Sequence, residues 1–139
     1  MKKIILSAVA LVISVFCYCQ CPMVYVKKTF YKVEYYTNTK DSLKLLRTSN
    51  STNSIEIVKN TYSDAGDLFS ASGNLVNGER YNGFINQYEC KNVAGHTKYT
   101  LYTNDGRTTD TWIVYVNFKG EVTQVSLIST KDNMVLILR

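Results

Sequence analysis

One proline, one histidine and one tryptophan occur in 139 residues, and no segment carries sustained helical apolar periodicity. The sole proline, Pro22, leaves no material for a polyproline segment or a proline-rich linker, and no composition shift marks an internal domain boundary. With His96 as the only imidazole, a histidine-rich metal site is excluded. A Cys90–His96 nucleophile would need a free thiolate held beside the ring and a third orienting group. Basic residues stand singly or as the pair Lys27-Lys28, without the stripe of cations and stacking rings that a nucleic-acid groove uses, so no nucleic acid is expected as a partner. Walker-type, dinucleotide and Gly-x-Ser-x-Gly signatures are all missing. No catalytic residue, metal or cofactor is assigned, and the chain is read as a binding protein rather than an enzyme.

What is present begins with an export pattern. Met1-Lys2-Lys3 is a positive head, Ile4–Phe16 a short apolar run, and Cys17-Tyr18-Cys19 stands where a small-residue cleavage site belongs. The run is too short to span a bilayer, which takes roughly 20 apolar residues, so no stable membrane anchor is expected after cleavage. Residues 1–19 are therefore read as a signal peptide and 20–139 as a single exported domain, periplasmic or secreted. The leader resembles those of exported proteins of Bacteroidetes-type bacteria, which often begin with glutamine after cleavage, as Gln20 would here. Removing Lys2 and Lys3 leaves 14 Lys+Arg against 11 Asp+Glu and lowers the net charge from +5 to +3.

Of four cysteines, Cys21 and Cys90 survive that cleavage. In an oxidising compartment two thiols predict one disulfide. Closing so long a loop stabilises a fold by roughly 4 kcal/mol in the chain-entropy account.

The remainder predicts an all-β fold, an antiparallel meander of about 8–10 short strands forming a sandwich or small barrel. The clearest stretch is Thr111–Leu127, where Trp112, Val114, Val116 and Phe118 share a parity and Lys119-Gly120 supplies a turn. Tyr31, Val33 and Tyr35 alternate with Lys32 and Glu34 as a half-buried strand, and Ser42–Thr48 reads as another. Ser72-Gly73-Asn74 and Asn82-Gly83 read as turns, which leaves short strands at Leu68–Ala71 and Asn74–Val76. Phe84, Tyr88 and Cys90 share an inward parity. Met134–Leu138 reads as a strand covered on both sides.

Tyrosine is the compositional excess, with eleven in the chain. Tyr36, Tyr102 and Tyr115 break the inward alternation and are the candidate binding aromatics for a glycan, a small molecule or a protein surface. Were the fold a barrel, its lumen would hold tyrosines instead. Loop carboxylates, Asp64/Asp67 and Asp105/Asp110, are the material for a hydrolase or a calcium loop, although neither set has the density of a calcium loop. Asp41-Ser42-Leu43 is similar to the O-glycosylation acceptor motif of exported Bacteroidetes proteins. Ser70-Ala71-Ser72-Gly73 resembles the loop that bacterial inhibitors of c-type lysozyme, which are small exported β-barrels, insert into the lysozyme cleft. That resemblance implies an inhibitor or immunity-type protein probing with Ser70 and Ser72. Its following Arg-Tyr pair, Arg80-Tyr81, is displaced by Asn74–Glu79.

Overall fold

A computed structural model describes residues 21–39, 42–62, 66–75, 78–104, 106, 109–130 and 132–139. The leader, the cleavage site, Asp41, Asp64 and Asp105 lie outside them. Among the described residues there are ten strands and no helix: β1 (Val26–Phe30), β2 (Val33–Asn38), β3 (Leu43–Ser49), β4 (Asn53–Tyr62), β5 (Gly66–Asn74), β6 (Arg80–Val93), β7 (His96–Asn104), β8 (Thr109–Asn117), β9 (Val122–Ser129) and β10 (Met134–Leu138). They form one antiparallel sheet in the order β1-β4-β5-β6-β7-β8-β9-β10-β2-β3.

The two ends of that order are joined by the chain itself. Phe30 faces Asn53 at one end and Val33 faces Ser49 at the other, so β1 runs into β2 through Tyr31-Lys32 while β3 runs into β4 through residues 50–52. The four strands are thus the two arms of one long hairpin, bent in the middle. Laid flat, β1 and β2 would stand about 38 Å apart at 4.8 Å per strand, whereas two linking residues reach about 10 Å. The sheet must curl, and it makes a barrel-like circuit of eight strand positions in which β10 pairs with β2. Buried Asn53 holds the bend, its amide donating to the carbonyls of Ser51 (2.5 Å) and Phe30 (3.5 Å).

The concave side is the core. Val33, Ile57, Leu101, Val114, Val125 and Leu136 are fully enclosed, and each such side chain contributes about 1.5–3 kcal/mol of burial. Strand-by-strand alternation follows the sequence, with corrections that have local causes. Tyr31 sits at the hairpin bend and is 70% exposed, so only Val33 and Tyr35 of its trio face inward. Phe118 belongs to the β8–β9 turn rather than the strand and is 87% exposed. Phe84 points outward because the β6 register shifts between Ile85 and Gln87, and the extra residue inverts the parity that Tyr88 and Cys90 keep. On β10, Leu136 and Leu138 face the core. Val135 is buried on the other side, while Ile137 remains half-exposed there.

Two expected turns are strand interior. Gly73 lies within β5, and Gly83 within β6, where a Cβ would stand 3.0 Å from Cβ of Thr103. Both glycines make room for close neighbours rather than for a reversal. Leu68–Ala71 is consequently part of one nine-residue strand that ends at Asn74.

Candidate functional site

Trp112 on β8 decides what the interior can hold. Its indole is 1% exposed and reaches the opposite wall, with Cη2 3.2 Å from where a Cβ on Gly73 would lie. Ile55 of β4 meets the same point at 3.0 Å. The lumen is crossed by a side chain at this level. Among the described residues the indole N–H has no hydrogen-bond partner.

Four tyrosines face inward, Tyr35 and Tyr81 on one side of this brace and Tyr88 and Tyr99 in the rest of the core. At the first end the Tyr81 hydroxyl donates to Glu79 (3.5 Å), and Arg47 of β3 stands 3.8 Å from the same carboxylate. The Arg47 guanidinium also lies 4.2 Å over the Tyr35 ring. Burial and then the negative Glu79 push the Tyr81 phenol well above the ordinary phenol range, and the same two causes raise Tyr35. Both hydroxyls therefore stay protonated at neutral pH, which suits hydrogen bonding and not nucleophilic chemistry. At the other end Cys21 and Cys90 form a disulfide, Cα to Cα 6.4 Å, and the Tyr88 hydroxyl donates to the Cys21 carbonyl at 3.1 Å. Met23 and Val24, next along the chain, belong to the core.

Ser70 and Ser72 do not form a protruding turn. Both are in β5, paired with β4 on one side and β6 on the other, and their alternation with inward Ala71 and Gly73 places them on the outer surface. The probing loop that the lysozyme-inhibitor resemblance implies is absent from this position. Asp110 has structural duties: its carboxylate accepts the Thr130 N–H (3.3 Å) and its carbonyl accepts the Thr103 hydroxyl (3.2 Å). Among the described residues no group of three or more His, Cys, Asp or Glu side chains is arranged to hold a metal.

The three candidate tyrosines share the outer face. Register across six strands aligns Tyr102, Thr111, Ile128, Val135, Tyr36 and Leu45 in one row from β7 to β3. A second row, one residue pair along, contains Ile113, Ser126, Ile137 and Glu34. The third brings Lys98, Tyr115 and Gln124 together. Sequence alternation identified the tyrosines, but the aliphatic residues between them were not singled out as a surface, because only cross-strand register assembles them.

Glu34 anchors this face. Its carboxylate accepts from Lys32 (2.6 Å), Tyr36 (3.1 Å) and Arg139 (2.9 Å). The Lys32 bond above all holds its pKa below the ordinary carboxylate value against the opposing effect of burial, with Tyr36 and Arg139 adding to the depression. Tyr102 donates to Glu89 at 3.3 Å. Comparison with known proteins finds no matching family model, curated protein or solved structure.

Proposed function

We propose that the protein is an exported, non-enzymatic domain that binds a partner through the outer surface of its barrel. The observation that carries this reading is the row Tyr102, Thr111, Ile128, Val135, Tyr36 and Leu45. It sets aromatic rings with polar tips at intervals along an aliphatic strip, a composition suited to recognition surfaces. The Trp112 brace favours the surface over the lumen as the place of binding. Export is supported by the leader pattern and by the Cys21–Cys90 disulfide, a bond that persists in oxidising compartments.

The test is a photoreactive side chain substituted at Ile128 in protein exported by its own cell. The expected result is one discrete adduct at Ile128, lost when Tyr36 is changed to Asp, with no adduct from a probe at Ile55. Absence of an adduct at Ile128, or one that forms equally from Ile55 inside the barrel, would sink the surface reading.

A further inference from the structure

We propose that the depression around Tyr115 is a carbohydrate subsite that takes one sugar ring of a glycan, an inference that rests on the surface-binding reading and names its ligand class. The depression is shallow and open to solvent, offers about 320 Å³, and is lined by His96, Tyr115, Thr123 and Gln124. That is the low end of the volume range for small-molecule sites, which begins near 300 Å³, and it fits one ring rather than an extended cofactor.

Strand register explains why these four side chains meet. Tyr115 and Gln124 are directly paired on β8 and β9. The β9 register shifts at that pair, so Thr123 is an extra residue opposite the Tyr115–Val116 step and is delivered to the same spot. His96 opens β7, two residues before the Lys98 that faces Tyr115.

The chemistry of the lining is that of a polyol site. A half-exposed phenol ring offers an apolar platform for the C–H face of a sugar, and the surrounding amide, imidazole and hydroxyl address its hydroxyl groups. The four lining side chains include no carboxylate, ammonium or guanidinium, and the cations beside them, Lys98 facing Tyr115 and Arg139 bonded to Gln124, disfavour an amino sugar. The polar groups are also held in place. Gln124 Oε1 accepts from Arg139 Nε (3.1 Å) and its Nε2 donates to Ser126 (3.2 Å), which fixes the amide plane while leaving one N–H and one lone pair. Thr123 donates its hydroxyl to the Tyr115 carbonyl at 3.2 Å and keeps its acceptor capacity. His96 Nδ1 stands 3.3 Å from the Ala94 carbonyl, so the tautomer that donates there leaves Nε2 as an acceptor. Binding then costs little side-chain ordering.

The experiment is an NMR titration of the exported, disulfide-bonded protein with neutral oligosaccharides: cello-, chito-, manno- and galacto-oligomers in turn. The expected result is saturable shifts of the His96, Tyr115, Thr123 and Gln124 signals with at least one series. Tyr115→Ala should weaken binding about tenfold, the loss of a stacking contact near the upper end of 0.5–1.5 kcal/mol. Tyr115→Phe should bind within a few-fold of the parent, and Tyr31→Ala, an exposed ring elsewhere, should not differ from it. Unchanged near-ultraviolet circular dichroism from Trp112 reports that each variant is folded. No saturable shift with any series, or shifts that survive Tyr115→Ala, would overturn the subsite. The Ile128 adduct reads the surface proposal separately, so an adduct without sugar binding removes the ligand class and leaves the binding face.

Discussion

The Trp112 indole on β8 closes against Gly73 on β5, with Cη2 3.2 Å from the place a Cβ would take. This contact joins two walls of the curled sheet, and it makes the absence of a side chain at residue 73 a packing requirement. Ile55 Cδ1, 3.0 Å from the same place, would have to shift together with the indole. Gly73→Ala should therefore destabilise the fold by about 1–3 kcal/mol, the range for overpacking a core. A shift in urea midpoint with an unchanged slope checks it. Stability equal to the parent would mean that the brace is looser than this geometry.

The disulfide should matter through the segment it carries as well as through the loop it closes. Reducing Cys21–Cys90, or changing both to Ala, should lower stability by about 2–4 kcal/mol. It should also uncover Met23 and Val24, the core residues next to tethered Cys21. Thermal unfolding with and without a reductant gives the first number. Hydrogen exchange at residues 23 and 24 gives the second, and protection that survives reduction would show that the apolar anchors suffice alone.

Acid should act on Glu34. Its carboxyl is held below the ordinary value in the folded protein, so its contribution is present above the unfolded pKa and is lost as pH falls through the folded one. Stability should decline as pH drops below about 4.5, the ordinary carboxylate value, and Glu34→Gln should flatten that limb. An identical acid limb in the variant would place the linkage elsewhere.

Base should act on Tyr81 with the opposite sign. Its phenol is raised, so the stability it contributes is present below the unfolded value near 10 and declines as pH rises from there toward the folded pKa. Absorbance titration should find phenolate forming late, and Tyr81→Phe should remove the latest-titrating group. Phenolate appearing with the exposed tyrosines would contradict its burial beside Glu79.

Two hydrophobic residues of the best-read stretch of sequence and of its neighbouring strand should differ sharply. Phe118→Ser should change stability by no more than about 0.5 kcal/mol, as at most exposed sites. Leu136→Ala should cost about 2–5 kcal/mol, as for enclosed leucines. Chemical denaturation of both separates the exposed turn after β8 from the enclosed face of β10.

The all-β class, most strand positions and the disulfide pairing followed from the sequence because each is a local or composition-limited property. Alternation over five to nine residues is written in consecutive side chains, and on the reading that the leader is removed, the two cysteines that remain have one intramolecular way to pair. Tyr36, Tyr102 and Tyr115 were likewise legible as outward residues, since parity needs no knowledge of the partner strand. Three things were decided only by the tertiary structure. Gly73 and Gly83 look like turns in sequence, but the requirement they meet comes from Ile55, Trp112 and Thr103 on other strands. Phe84 was misplaced because one inserted residue inverts every parity before it, and a bulge has no reliable local signature. The curl itself, and with it the outer row and the Tyr115 depression, depends on β1–β2 and β3–β4 being the bent arms of one hairpin. The numbering of two distant sets of cross-strand pairs carries that information, and no single stretch of sequence contains it.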